Sequence, residues 1–181
     1  MKNVNKKFDG TTVRVNCTVA YPHVFAPVKK NDSDKAKYSA CILIDKNDTQ
    51  AVQLINEAVE GAKVLYKEQF GAPKGRLKTV VHDGDEDRPD DDTFAGKLYI
   101  NASSIRKPGV KMIEAGMLVD CLDEEEFYSG VKGAAGLRFY PYNNAGSTGI
   151  SCNLDNLLKL EDGDRIGGGS MSADQAFADL V

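Results

Sequence analysis

The stretch Phe127–Asn144, FYSGVKGAAGLRFYPYNN, decides how the rest of the chain is read, because it joins strand-like alternation to basic and aromatic groups and to glycines. From Gly136 onward the side chains alternate across a pleat, which sets Arg138, Tyr140 and Tyr142 on one face and Leu137, Phe139 and Pro141 on the other. The second face belongs to a core. The first pairs a guanidinium with two phenols at two-residue spacing. That pattern fits a base stacked on a ring beside a held phosphate, and equally fits tyrosines that cap a half-buried sheet with their hydroxyls in water. Gly130, Gly133 and Gly136, with Ala134 and Ala135 among them, either leave backbone open to a ligand or mark a bulge or barrel corner.

Working outward, residues 13–19 (VRVNCTV) put Val13, Val15, Cys17 and Val19 on a core face and Arg14, Asn16 and Thr18 outside. Lys37–Ile44 reads as a second strand, and residues 97–104 (KLYINASS) as a third with Leu98, Ile100 and Ala102 opposed to Tyr99, Asn101 and Ser103. If the third strand lies beside Arg138–Tyr142, Tyr99 joins the same aromatic platform, with Lys97, Arg106 and Lys107 at its rim. Residues 149–160 supply a final strand. Asn47 or Asp48 caps a helix whose apolar positions Val52, Ile55, Val59, Ala62, Leu65 or Tyr66, and Phe70 recur at helical spacing before Gly71, about six turns. The segment YPHVFAP sets Tyr21, His23 and Phe25 either as a hinge over the binding face or as packing at a strand end. Lys29, Lys30, Lys35 and Lys37 form a basic cluster, interrupted by Asp32 and Asp34, that reads mostly as solvated surface, while Lys74, Arg76 and Lys78 either reach phosphates or are idle surface.

The chain of 181 residues fits one domain, expected over 1–161, followed by a flexible acidic tail over 162–181. It has no apolar run near the ~18 residues that a membrane span needs, so a soluble, unexported protein is expected. Cys17, Cys41, Cys121 and Cys152 form no CxxC pair and read as buried reduced thiols. The net charge of −4 is unevenly spread: residues 161–181 carry −4 and residues 83–92 carry −6, which leaves +6 for the remainder and room for a basic surface. Asp83, Asp85 and Asp87 have the spacing of a calcium loop, yet Arg88 and Pro89 occupy its turn and Phe94 stands where a bidentate glutamate is needed, so no metal or cofactor is expected. The chain also lacks a nucleophile–base pair or a phosphate loop, which argues against an enzyme.

Three blocks in order, YPHVFAP, HDGDEDRPDDDTFAGKLYINASS and EFYSGVKGAAGLRFYPYN with GISCNLDNLLKLEDG, resemble those of a phage-encoded single-stranded DNA-binding protein family over most of residues 11–169. The resemblance implies an oligonucleotide-binding (OB) fold, a Greek-key β-barrel, and sequence-independent binding of single strands in phage DNA replication or recombination in the host cytoplasm. On that fold, strand parity assigns Tyr99, Tyr140 and Tyr142 to base stacking and Arg14, Lys37, Lys97, Arg106, Lys107 and Arg138 to phosphates. Single-strand binding proteins also resemble one another in an acidic tip that recruits a polymerase or helicase. Here Asp174, Phe177, Asp179, Leu180 and Val181 would be that tip. The alternative is a phage structural or assembly protein that self-associates as a homo-oligomer through the same sheet face.

Overall fold

The computed structural model describes residues 1–167. In order come β1 (Lys6–Lys7), β2 (Thr12–Val28), β3 (Lys37–Asp45), α1 (Thr49–Phe70), β4 (Val81–Asp83) and the single turn α2 (Gly84–Asp87). These are followed by β5 (Lys97–Ser104), β6 (Gly109–Glu114), β7 (Met117–Asp120), β8 (Lys132–Asn144) and β9 (Ser147–Glu161). All nine strands belong to one sheet, which runs β5-β3-β2-β8-β9 and closes on itself where Ser103 of β5 meets Asn153 of β9. This is the small β-barrel with one long helix expected from the sequence. Past the closing bridge the two strands diverge, and the segment before β4 enters the seam: Lys78 lies beside Gly149 and Val81 beside Ile100.

Alternation fills the barrel. Val13, Val15, Val19, Ile42, Ile44, Ile100, Leu137, Phe139, Ile150 and Leu154 are all buried in one core. The helix α1 packs Ile55, Ala58 and Ala62 into that core. Asp48 is its N-cap, accepting from the Ala51 N–H at 3.0 Å, and Gly71 terminates it in the left-handed region at φ 80°. A side chain at Gly61 would overlap the Gly10 carbonyl, so the helix seats against the chain entering β2 only because this position is bare.

Of the two readings of the glycines in the opening stretch, the structure realises the bulge at Gly133 and Gly136. The β8–β9 register shifts next to Gly133 and again at Gly136, and a Cβ on Gly133 would overlap the Leu158 carbonyl. Gly133, Ala134 and Ala135 are buried. β8 is a central strand that, past exposed Lys132 at its start, presents exposed side chains again only from Arg138 onward.

Two elements depart from expectation. β2 continues from Val19 to Val28 through Pro22 and Pro27, because its register with β3 shifts between Ala20 and His23 and again before Val28. Residues 109–120 form a hairpin, β6–β7, turned by Ala115 and Gly116 with φ 49° and 78°. All four cysteines are buried and free; burial pushes the Cys17 thiol up to about 12 and that of Cys41 to about 11. Among the described residues no helix is long and apolar enough to cross a membrane.

Candidate nucleic-acid interface

The outward faces of β3 and β5 form the floor of a groove of about 700 Å³, with Ser39, Cys41, Asn101 and Ser103 along it. Lys30 and Lys35 from the β2–β3 connection and Lys37 at the start of β3 form one wall, which also holds Asp34, and Ile105, just past β5, stands opposite with Arg106 and Lys107 exposed just beyond it. Tyr21 and His23 close one end. Tyr21 sits in the bulge of β2 with φ 48°, which swings its ring outward to 44 % exposure, and its N–H donates to Ser129 Oγ at 2.9 Å. Lys30, Lys35, Lys37, Arg106 and Lys107 make no ion pair among the described residues. Their charge is therefore available to an anion.

The groove does not stop at β5. Register carries one outward row across the barrel from His23 to Ser39, Ser103, Asn153 and Arg138. Arg138 lies 3.6 Å from Asp155, and Tyr140, 38 % exposed, follows on the same face. Tyr142 is half-buried, with its hydroxyl end over Gly149. Arg138, Tyr140 and Tyr142 thus share a face as strand parity requires, and that face continues the groove across the β5–β9 seam.

The remaining expected contacts lie elsewhere. Tyr99 is 7 % exposed and packs with Ala20, Cys41, Leu43 and Phe94 in a second, smaller cluster on the outer side of the sheet. His82 stacks on its ring at 4.9 Å, Phe94 meets it edge-on at 5.0 Å, and its hydroxyl donates to Asp87 at 3.0 Å. Burial, reinforced by Asp87, raises its phenol above the usual tyrosine range. With those neighbours in place no base can stack on it, so Tyr99 leaves the platform. Arg14 is held beneath the N-terminal arm: its Nε donates to the Val4 carbonyl at 2.6 Å and its guanidinium lies over Phe8. Buried Asn16 fixes that arm, accepting from Val4 N–H and donating to Lys2 O. Lys97 pairs in register with Asp45 and lines a separate polar pocket with Asp48 and Lys132. Neither Arg14 nor Lys97 joins the groove.

The acidic segment is built into the fold. Lys46 Nζ lies 2.6 Å from both Asp83 and Asp85, which holds those two carboxyls below, and its own ammonium above, their ordinary ranges. Asp87 is taken by Tyr99, and Arg88 covers the Phe94 ring at 4.8 Å. The three carboxylates with calcium-loop spacing are thereby committed to a lysine and a phenol. No group of three or more metal-ligating side chains occurs among the described residues.

Tyr21, Lys30, Lys35 and Ile105 complete the groove without having been singled out as contacts. The aromatic and lysine clusters were visible in the sequence; what was not visible is the bulge that turns Tyr21 outward. Residues 162–167 return over β2: Ile166 packs on the Ala20–Cys41–Leu43 cluster, and Gly167 lies against the Tyr21 ring. Asp174, Phe177, Asp179, Leu180 and Val181 lie outside the described residues.

A closed barrel of five strands, with a cation-walled groove across two of them and rings at one end, is the design of an oligonucleotide-binding barrel. A family model described as the single-stranded DNA-binding protein of Enterobacter phage Enc34 matches residues 11–180, and the chain belongs to this family. It is a family of binding proteins and not of enzymes. The p50 protein of Acyrthosiphon pisum secondary endosymbiont phage 1 is 28 % identical over 172 residues, covering 91 % of each chain. The structure of the bacteriophage Enc34 single-stranded DNA-binding protein in complex with ssDNA superposes with a TM-score of 0.75 at 27 % identity, covering 92 % of this chain and 99 % of that one. The bacteriophage T7 single-stranded DNA-binding protein gp2.5 matches at TM-score 0.55 and 16 % identity over 98 % of this chain and 96 % of that one, a likeness of fold.

Proposed function

We propose that this protein binds single-stranded DNA without sequence preference in phage DNA replication or recombination in the host cytoplasm. The observation that carries the reading is the wall of Lys30, Lys35 and Lys37, which outnumber Asp34 beside them and make no ion pair among the described residues, over a neutral floor in a chain whose net charge is −4. Backbone phosphates run along Lys37, Arg106 and Lys107, and bases stack on Tyr21, Tyr140 and Tyr142. A single strand presents bare rings to such a surface, whereas a duplex hides them. The row that reaches Arg138 lengthens the track beyond the groove itself.

The acidic C-terminal residues follow Gly167 in the sequence, and Gly167 lies against Tyr21 at the groove end. Asp174, Phe177 and Asp179, with Leu180 and Val181, compete with DNA for the cationic wall and, when displaced by it, recruit a polymerase or helicase. Charge that repels phosphate and a ring that mimics a base suit both tasks.

The test is an anisotropy titration of a labelled single strand and its duplex at 50 and 200 mM salt. Five neutralised phosphates give a slope of about −3.5 in log K against log salt, so single-strand affinity should fall about a hundredfold between the two. Deleting residues 168–181 should raise affinity. Flat salt dependence, equal duplex binding, or assembly of the protein without DNA affinity would overturn the reading.

A further inference from the structure

Two surfaces outside the proposed DNA site carry opposite charge and matching apolar area. The first is the β6–β7 hairpin. Among the described residues it ends the sheet and β7 has no partner on its outer edge, and Ile113, Met117, Leu118 and Leu122 are each at least half exposed. Single exposed apolar side chains are ordinary, but a cluster on one hairpin signals contact with another protein. Ile113 and Leu118 are register partners, and the exposed acids Glu114, Asp120, Asp123 and Glu125 flank the group along the chain. Of these acids only Asp120 has a cation in reach, Lys111 at 2.6 Å, among the described residues.

The second surface is a groove of about 660 Å³ between α1 and residues 73–82. Val64, Pro73 and Leu77 give it an apolar floor, and Lys63, Lys67, Arg76 and Lys78 surround them. Only Lys63 has an acid partner among the described residues, Glu60 at 2.7 Å. The groove offers no tyrosine or phenylalanine for a base, and its aliphatic floor suits protein better than nucleic acid.

These surfaces lie at opposite ends of β9. Lys78 sits beside Gly149, and Met112 of the hairpin beside Lys159, ten residues of strand or about 33 Å apart. Two hairpins paired about a twofold axis would set carboxylates against carboxylates. A hairpin seated in the next copy's groove sets acid on base and apolar on apolar. We infer that copies of this chain bind one another head to tail, the β6–β7 hairpin of one in the α1/73–82 groove of the next. Because the two patches differ and stand at opposite ends, the contact leaves a free patch at each end of a pair and builds open rows. That such rows form along one DNA strand and make binding cooperative rests on the single-strand reading above.

The experiment uses charge exchange in the full chain. Sedimentation velocity is run over a protein concentration series on wild type, Glu114→Lys/Glu125→Lys, Lys67→Glu/Arg76→Glu, and the four changes combined. A short-strand titration runs alongside each. Wild type should sediment faster as concentration rises, each pair of reversals should abolish that rise, and the combination should restore it. Copy for copy, affinity on a long strand should exceed that on a short one by about tenfold in wild type and the combination only. Self-association that survives either reversal alone, or that stays lost in the combination, overturns the contact. Loss of short-strand binding by Lys67→Glu/Arg76→Glu also overturns it and gives the groove to DNA. Absence of DNA binding by wild type counts against the proposed function and leaves the sedimentation result as the test of the contact.

Discussion

Alanine at both Tyr140 and Tyr142 is expected to weaken single-strand binding by about 2–4 kcal/mol, or about 30- to 1,000-fold, with the fold intact. Each stacked base is worth about 1–3 kcal/mol, and the lower half of that range suits Tyr142, whose ring is already half-covered by its own strand pair. Tyr140 is the stronger contributor, since it is exposed and contributes little to the core beneath it. Thermal unfolding should shift little, because substitutions at exposed positions stay within about 0.5 kcal/mol. Phenylalanine at both positions should keep most of the affinity, as the ring and not the hydroxyl does the stacking. A double alanine variant that binds like wild type would move the platform to Tyr21 and the lysine wall alone.

Tyr99→Ala should do the reverse. Its ring is enclosed by His82 and Phe94, so its removal leaves a cavity and costs about 3–5 kcal/mol of folding stability, the range for large buried rings. The loss should propagate to the acidic segment, because Asp87 and Arg88 both rest on that ring and its neighbour Phe94. Tyr99→Phe removes only the hydrogen bond to Asp87 and should cost about 1 kcal/mol. Chemical denaturation followed by circular dichroism measures both, with DNA affinity measured where each variant is folded. Weakened binding at unchanged stability would return Tyr99 to the DNA surface.

The contrast between these tyrosines shows where sequence reading succeeds and where it stops. Alternation gives the parity of a strand, and it placed Tyr99 with Asn101 and Ser103, and Tyr140 with Arg138, on the outward side of the barrel. Parity is silent on a second layer. Phe94, His82 and α2 fold over the outward face at Tyr99, and nothing in residues 97–104 announces that cover. The same holds for Arg14, which points outward as expected but meets the N-terminal arm held there by Asn16.

The helix was legible to its caps, because Asp48 and Gly71 carry local signals. The second half of β2 was not, because Pro22 and Pro27 read as loop. Register shifts let the strand run through them, and the shift at Ala20–His23 is what brings Tyr21 to the groove. Lys37, Arg106 and Lys107 were found as basic residues flanking strands. Their assembly with Lys30 and Lys35 depends on the β3–β5 pairing, a contact between segments some sixty residues apart.

The claim that carries the account is that DNA lies across β3 and β5 and continues over the seam to β8. Hydrogen exchange of the full chain, with and without a saturating oligo-dT strand too short to hold two copies, tests it directly. Exchange should slow in residues 28–41, 101–107 and 138–142, and should stay unchanged in α1 and residues 73–82. Slowing confined to α1 and residues 73–82, with the β3–β5 groove unaffected, would contradict it.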